Sequence, residues 1–264
     1  MEQVFYQREW QGIRLAELPP EHADVAGPRS YAAFYDRLLA HEPAIPANRL
    51  AHKRRIGEWL RDEVLRGQRP ETARVLSIGA GLGLVERPLW EHGYQVDVLE
   101  CEERSLRYVR ARQPDARAML GDARAIPCAD ATYDVVYMVT VDYCFSRSDY
   151  RRALAEMGRI LRPGGRAVCV CMSNLAWPAM MTRALRTLLG RAKTDARGQV
   201  AWGYLRTVGD HIRAAEAAGL RSRQVYLFDP AHRLRAVREP SAWNFRWPTW
   251  HDAVVGVVFE RASE

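Results

Sequence analysis

Val75-Leu76-Ser77-Ile78-Gly79-Ala80-Gly81-Leu82-Gly83 joins a short apolar run to three alternating glycines. The run suits a strand buried on both faces, and glycine lets the backbone turn sharply and approach a ligand closely. In a doubly wound α/β sheet, ligands settle outside the carboxyl ends of the strands, where backbone amides and a helix N-terminus meet them. The stretch therefore reads as a ligand-binding turn. A dinucleotide fingerprint needs Gly-x-Gly-x-x-Gly/Ala, but the sixth position here is Leu84 and the third glycine falls one place early, at Gly83. Nicotinamide binding is accordingly disfavoured.

With 264 residues, the chain is long enough for one large α/β domain with an elaborated edge. Its apolar share is 48%, yet no segment reaches the ~18 uninterrupted apolar residues of a membrane span. The start, Met1-Glu2-Gln3-Val4-Phe5, lacks a basic-then-apolar export signal, so a soluble, cytoplasmic protein is expected. The five cysteines are odd in number and show no Cys-x-x-Cys pairing; Cys169 and Cys171 alternate along one strand as small core hydrophobes, and no metal site is expected. The net charge of +7 is carried almost wholly by arginines interleaved with acids, which describes a solvated surface better than a nucleic-acid stripe.

Residues 1–70 read as helical and loop-like, broken by Pro19-Pro20, Pro28, Pro43 and Pro46. Between breaks, Tyr31, Phe34, Tyr35, Leu38 and Leu39 recur at helical spacing, giving a face that either packs on the domain or forms a lid. A second periodic run, Arg49 to Arg66, places Ile56, Trp59, Leu60 and Val64 on one side, to cover the sheet. After the glycine turn comes a helix, Leu84 to His92, with Pro88 tolerable in its first turn. Gln95 to Glu100 is a second strand, and Glu100 stands at its carboxyl end, where a carboxylate accepts ribose hydroxyl hydrogens. Arg104 to Arg112 is the next helix. Ala116 to Leu120 and Val135 to Val139 are the third and fourth strands.

From Val75 to Cys171 these parts, in this order, resemble a class I S-adenosylmethionine-dependent methyltransferase of the quinone and small-molecule group. The Gly79-to-Gly83 turn resembles the family's Gly-x-Gly-x-Gly, and Glu100 falls where the family keeps its ribose acid. Gly121-Asp122-Ala123 with Ile126-Pro127 resembles the adenine-binding segment; Tyr133-Asp134-Val135-Val136 resembles the opening of the fourth strand. Glu156 through Arg166 resembles the helix and Pro-Gly-Gly turn before the fifth. The resemblance implies a Rossmann-like, seven-stranded α/β sheet, parallel except for the last strand, with helices on both faces. It implies S-adenosylmethionine as cofactor, with S-adenosylhomocysteine as product. The cofactor positions carried over are Ser77, Gly79, Ala80, Gly81, Gly83, Glu100, Cys101, Asp122, Ala123 and Thr140. One of them departs from the pattern: Ser77 stands where the family has a carboxylate that organises the methionine end, so weakened or rearranged binding is expected there.

Thr140-Val141-Asp142-Tyr143 resembles the stretch bordering the methyl-transfer site, which makes Asp142 and Tyr143 candidates for catalysis or for pocket lining. Outside the resemblance, 1–70 is expected as an N-terminal helical cap and 71–264 as the methyltransferase domain. An insertion after the fifth strand, 173–203, is expected to form part of the substrate cover. Candidate substrate contacts are Tyr31, Tyr35, Trp177, Trp202, Tyr204 and Arg206, and His251 is a candidate acid or base in the aromatic-rich connection before the last strand. The leading expectation is in-line methyl transfer to a small aromatic or apolar metabolite. Two alternatives stay open: methylation of RNA or protein, and non-catalytic cofactor binding.

Overall fold

The computed structural model describes residues 3–10, 13–14, 35–36, 39–40, 47–171, 181, 185, 188–189, 200–229, 231–240 and 254–263. In chain order these contain β1 (Gln3–Gln7), β2 (Glu9–Trp10), β3 (Ile13–Arg14), α1 (Ala47–Trp59), β4 (Arg74–Ile78), α2 (Arg87–Trp90), β5 (Gln95–Glu100) and α3 (Glu103–Arg112). There follow β6 (Ala118–Leu120), β7 (Tyr133–Val139), α4 (Arg147–Ile160), β8 (Leu161–Cys171), β9 (Val200–Leu205), α5 (Val208–Glu216), β10 (Leu220–Phe228), β11 (Leu234–Arg238) and β12 (Val255–Arg261). The main sheet runs β11-β10-β12-β8-β7-β4-β5-β6. All seven strands read from the sequence are present, and β4 to β8 pair in parallel. β12 is antiparallel to both of its neighbours, β8 and β10.

The sheet has eight strands rather than seven because Leu234–Arg238, within the connection before the last strand, adds antiparallel to the β10 edge. Its exposed arginines and exposed Leu234 and Val237 lack the alternating buried pattern that marks a strand in sequence. The chain's start also differs from the expected helical cap. Gln3–Gln7, Glu9–Trp10 and Ile13–Arg14 are strands, and β1 pairs antiparallel with β9, which joins the start of the chain to the end of the 173–203 insertion. Val4, Phe5 and Tyr6 are strand formers, but a lone five-residue strand needs a partner, and that partner is about 200 residues away.

Strand alternation sends successive side chains to opposite faces. On one face Leu76, Ile78, Val136, Met138, Cys169 and Cys171 pack with Leu154, Met157 and Ile160 of α4 and Val208 and Ile212 of α5. On the other, Val75, Val135, Tyr137, Val168 and Val170 pack with Ile56 and Trp59 of α1 and Leu89 of α2. The Arg49–Arg66 run thus covers the sheet, its Trp59 ring meeting Tyr226 and Phe228 edge-on at centroid distances of 5.0 and 5.2 Å. Asp134 explains its motif: it accepts from the Arg74 backbone N–H and from the Arg162 guanidinium, both at 2.8 Å, locking the start of β4 to β7 and β8.

Position in this sheet decides the site. The chain lays down β4, β5 and β6 in one direction, then crosses back to place β7 on the other side of β4. The crevice outside the tips of β4 and β7 is therefore a topological switch point. Among the described residues, no helix is long and apolar enough to cross a membrane.

Candidate active site

Gly79, Gly81 and Gly83 all take positive φ, +72°, +60° and +68°, a region that side chains with a Cβ rarely adopt. A Cβ on Gly79 would stand 2.4 Å from Val141 Cγ2, so the turn from β4 passes directly beneath the segment that leaves β7. The Gly79 N–H donates to the Leu99 carbonyl at 2.8 Å, and the Gly81 N–H donates to Glu100 Oε1 at 2.5 Å. Ser105, in α3, donates to the Gly81 carbonyl at 2.6 Å. Turn and carboxylate are thereby built as one unit, as adjacent strand tips allow.

Glu100 is only 4% exposed. Burial first, and the nearby Glu86 charge in addition, push its carboxyl up to about 7, against the opposing effect of the Gly81 N–H. Tyr35 comes from the N-terminal region to this spot: its hydroxyl lies 3.5 Å from where a Gly81 Cβ would be. Burial holds that phenol well above its ordinary range, Glu100 and Cys101 adding to the effect while Ser105 opposes it. The neighbouring Asp36 pairs with Arg104 of α3, fixing this segment over the turn. Cys101 itself is exposed just beyond Glu100.

Asp122 and Ala123 follow β6, with Gly121 donating to the Glu100 carbonyl at 2.9 Å. The Asp122 carboxylate is held from one side by Arg124, whose Nη2 meets Oδ2 at 2.6 Å and whose Nε lies 3.0 Å from both oxygens. Those hydrogen bonds keep Asp122 ionised below the usual carboxylate range. Thr140 ends β7 at φ +58°, a strained setting for a β-branched residue, and its hydroxyl accepts from Lys53 Nζ of α1 at 3.2 Å. Ser77, 1% exposed, donates to Glu86 at 2.7 Å.

Asp142 and Tyr143, beyond Thr140, behave differently from one another. Asp142 is 1% exposed, and its Oδ2 lies 3.9 Å from Nε2 of His211, which with Cys171 forms a buried group of donor atoms within 4.8 Å of one another. Tyr143 borders Tyr35 and Cys144; burial pushes its phenol well above the ordinary range, followed by Cys144 and Tyr35. Arg206, expected as a substrate contact, is buried instead as a clamp. Its guanidinium donates to the Asp142 carbonyl at 2.6 Å and to the Phe145 carbonyl, and lies 4.6 Å from the Tyr150 ring centroid. A side chain so committed shapes the site's floor and is not an arm for an anion. Tyr204 stands close by, its ring 5.9 Å from the same guanidinium. Trp202 lies in β9, and its side chain is outside the described residues, as are Tyr31, Trp177 and His251.

Four residues were not singled out in the sequence. Arg124 and Lys53 look like ordinary surface cations there. Glu86 sits at the start of a helix, where an acid is unremarkable. His211 falls between Val208 and Ile212 on the apolar stripe of α5, the one signal that a polar side chain enters the core. Its Nδ1 shares a 2.8 Å hydrogen bond with the Tyr150 hydroxyl, and burial, then Arg206, lowers its pKa to about 3. It is neutral at pH 7, so its approach to Asp142 is no ion pair. Because the unfolded chain takes up this proton near pH 6.5, the contribution is present above that pH and is lost as pH falls toward 3. His211→Phe should cost stability at pH 7 yet remove much of the loss between pH 7 and pH 5, read as urea midpoints at both values. An unchanged acid limb would show that His211 is not its source.

A glycine cradle beneath Tyr35, a buried carboxylate at the next strand tip and an acid after the third strand define a nucleoside-binding α/β domain at a switch point. Residues 75–165 match the family model described as a methyltransferase domain. The demethylmenaquinone methyltransferase of Renibacterium salmoninarum is 30% identical over 48% of this chain and 56% of its own length. A malonyl acyl-carrier-protein O-methyltransferase of Methylococcus capsulatus is 36% identical over 51% of this chain and 46% of its own. The chain spans about half the length of these relatives. Among solved structures, magnesium protoporphyrin IX methyltransferase from Synechocystis, with bound S-adenosylhomocysteine, shares the fold at a TM-score of 0.56 and 13% identity, over 81% of this chain and 85% of that one. The residues present fit the methyl donor: the glycines clear space a Cβ would fill, Glu100 faces the turn, and Glu86 Oε2 is a buried acceptor with no hydrogen-bond partner among the described residues.

Proposed function

We propose that the chain is an enzyme that transfers a methyl group from S-adenosylmethionine to a small aromatic or otherwise apolar metabolite. The observation that carries the donor half is the Gly81 N–H bonded to a buried Glu100 at the β4/β7 switch point. Bound there, the donor supplies a methyl group activated on a sulfonium centre. The protein's task is then mainly to hold an acceptor atom about 3–3.5 Å away, in line and screened from water. Tyr35 and Tyr143 suit that task, since both phenols keep their protons far above neutral pH and present rings and hydroxyls rather than bases. Asp142 supports the site from below through His211 and Arg206.

The acceptor half is supported by the relative named for demethylmenaquinone and by the aromatic character of the flanks in sequence. The β1–β9 pairing supports reading residues 1–70 and 173–203 as one cover, because it ties their ends together. Incubation with methyl-labelled S-adenosylmethionine and a metabolite extract should give a labelled, organic-soluble product. Label found only in RNA or protein would overturn the choice of acceptor.

A further inference from the structure

Glu86 is a buried acid beside the glycine turn. It is 1% exposed and stands at the N-terminal end of α2, three residues beyond Gly83, with its side chain making no capping hydrogen bond to that helix. Its Oε1 accepts two hydrogen bonds, from the Ser77 hydroxyl at 2.7 Å and the Tyr137 hydroxyl at 2.9 Å. Ser77 and Tyr137 are register partners on β4 and β7, so the carboxylate is pinned between the two strands that flank the switch point. Its other oxygen, Oε2, is buried and has no hydrogen-bond partner among the described residues. Leaving such an acceptor bare is costly, the more so when it is charged, so the arrangement wants a donor from outside the protein.

The charged groups around it narrow that donor's chemistry. Lys53 of α1 is near enough to favour the ionised form of Glu86 but directs its ammonium to Thr140 Oγ1, while Glu100 of β5 feels the Glu86 charge as a second negative. Two acids and one lysine leave the crevice with room for a further cation that carries N–H groups. The methyl donor has one, the α-ammonium of its amino-acid end, close to where the family's carboxylate is missing at Ser77. We propose that Glu86 takes the place of that missing carboxylate, with Ser77 and Tyr137 fixing Oε1 so that Oε2 receives the cofactor's ammonium.

This rests on the reading of the chain as an S-adenosylmethionine enzyme, and the ligands separate the two ideas. S-Adenosylhomocysteine carries the ammonium; 5′-methylthioadenosine keeps the nucleoside and lacks the amino-acid end. By calorimetry the parent should bind both. Glu86→Gln, which keeps an acceptor for Ser77 and Tyr137, should weaken S-adenosylhomocysteine about 10- to 100-fold and leave 5′-methylthioadenosine within about twofold. Equal weakening of both ligands, or of neither, overturns the role of Glu86. A parent that binds neither ligand overturns the cofactor reading itself.

A second measurement needs no variant. Burial raises the Glu86 carboxyl above its ordinary value, so at pH 5 part of it is protonated in the free protein. An arriving ammonium favours the ionised form. Titrations of the parent at pH 5 in buffers of different ionisation enthalpy should show S-adenosylhomocysteine releasing more protons than 5′-methylthioadenosine. Glu100 serves both ligands and cancels in the comparison. Matching proton counts would overturn the proposal.

Discussion

Glu100→Gln should abolish most cofactor affinity while making the free protein more stable at alkaline pH. The carboxyl is 4% exposed and titrates at about 7 in the fold against an ordinary 4.5, because burial disfavours its charge. The folded state therefore holds a proton that the unfolded chain releases between those values, and stability falls as pH rises from about 4.5 to about 7. The shift corresponds to roughly 3 kcal/mol at pH 8 and to nothing at pH 4. Glutamine keeps an acceptor for the Gly81 N–H and never charges. At pH 8 the variant should melt roughly 5–10 °C higher, and at pH 4 it should match the parent. S-Adenosylhomocysteine affinity should meanwhile fall by about 2–4 kcal/mol, roughly 30- to 1,000-fold, since ribose hydroxyls lose a charged acceptor. Melting curves and calorimetry on one preparation read both effects. A gain in melting temperature of the same size at both pH values would show that burial of charge is not its cause.

Gly79→Ala should destabilise the fold and abolish cofactor binding together. Two costs add: φ of +72°, at about 1–2 kcal/mol for a residue with a Cβ, and a Cβ 2.4 Å from Val141 Cγ2. That contact forces Val141 and the start of the 140–145 segment to move, and with them the tip of β7. A loss of about 3 kcal/mol or more in stability is expected, with cofactor binding lost. The costs can be separated. Val141→Ala clears the clash but leaves the backbone strain, so the double variant should lose less than the sum of the single losses, yet stay less stable than Val141→Ala alone. Strict additivity in urea denaturation would show that the two side chains do not meet.

Much of the nucleoside half of the site was legible because its signals are local. A turn needing positive φ three times in five residues leaves glycine as the only easy choice, and the strand before it must be apolar to sit at the centre of the sheet. Glu100 was found from spacing alone, since parallel strands with short crossovers put the second strand's end beside the first turn. The edge strand Leu234–Arg238 was not legible: an exposed edge carries no buried stripe to give it a period. The β1 strand escaped notice because β9, its partner among the described residues, is remote in sequence.

The chemistry beyond the nucleoside was settled by packing. Arg206 and Asp142 are polar residues in a promising stretch, and only the three-dimensional arrangement shows the first spent on the Asp142 and Phe145 carbonyls and the second turned toward His211. Ser77 shows the difference most directly. By itself the sequence determined the seven-stranded frame, the glycine turn and the place of Glu100 beside it, because backbone conformation and strand order act on neighbours along the chain. Only the tertiary structure decided that Ser77 is tied to the carboxylate of Glu86, nine residues later, because a hydrogen bond across the first turn depends on where a helix begins and not on any period in the sequence.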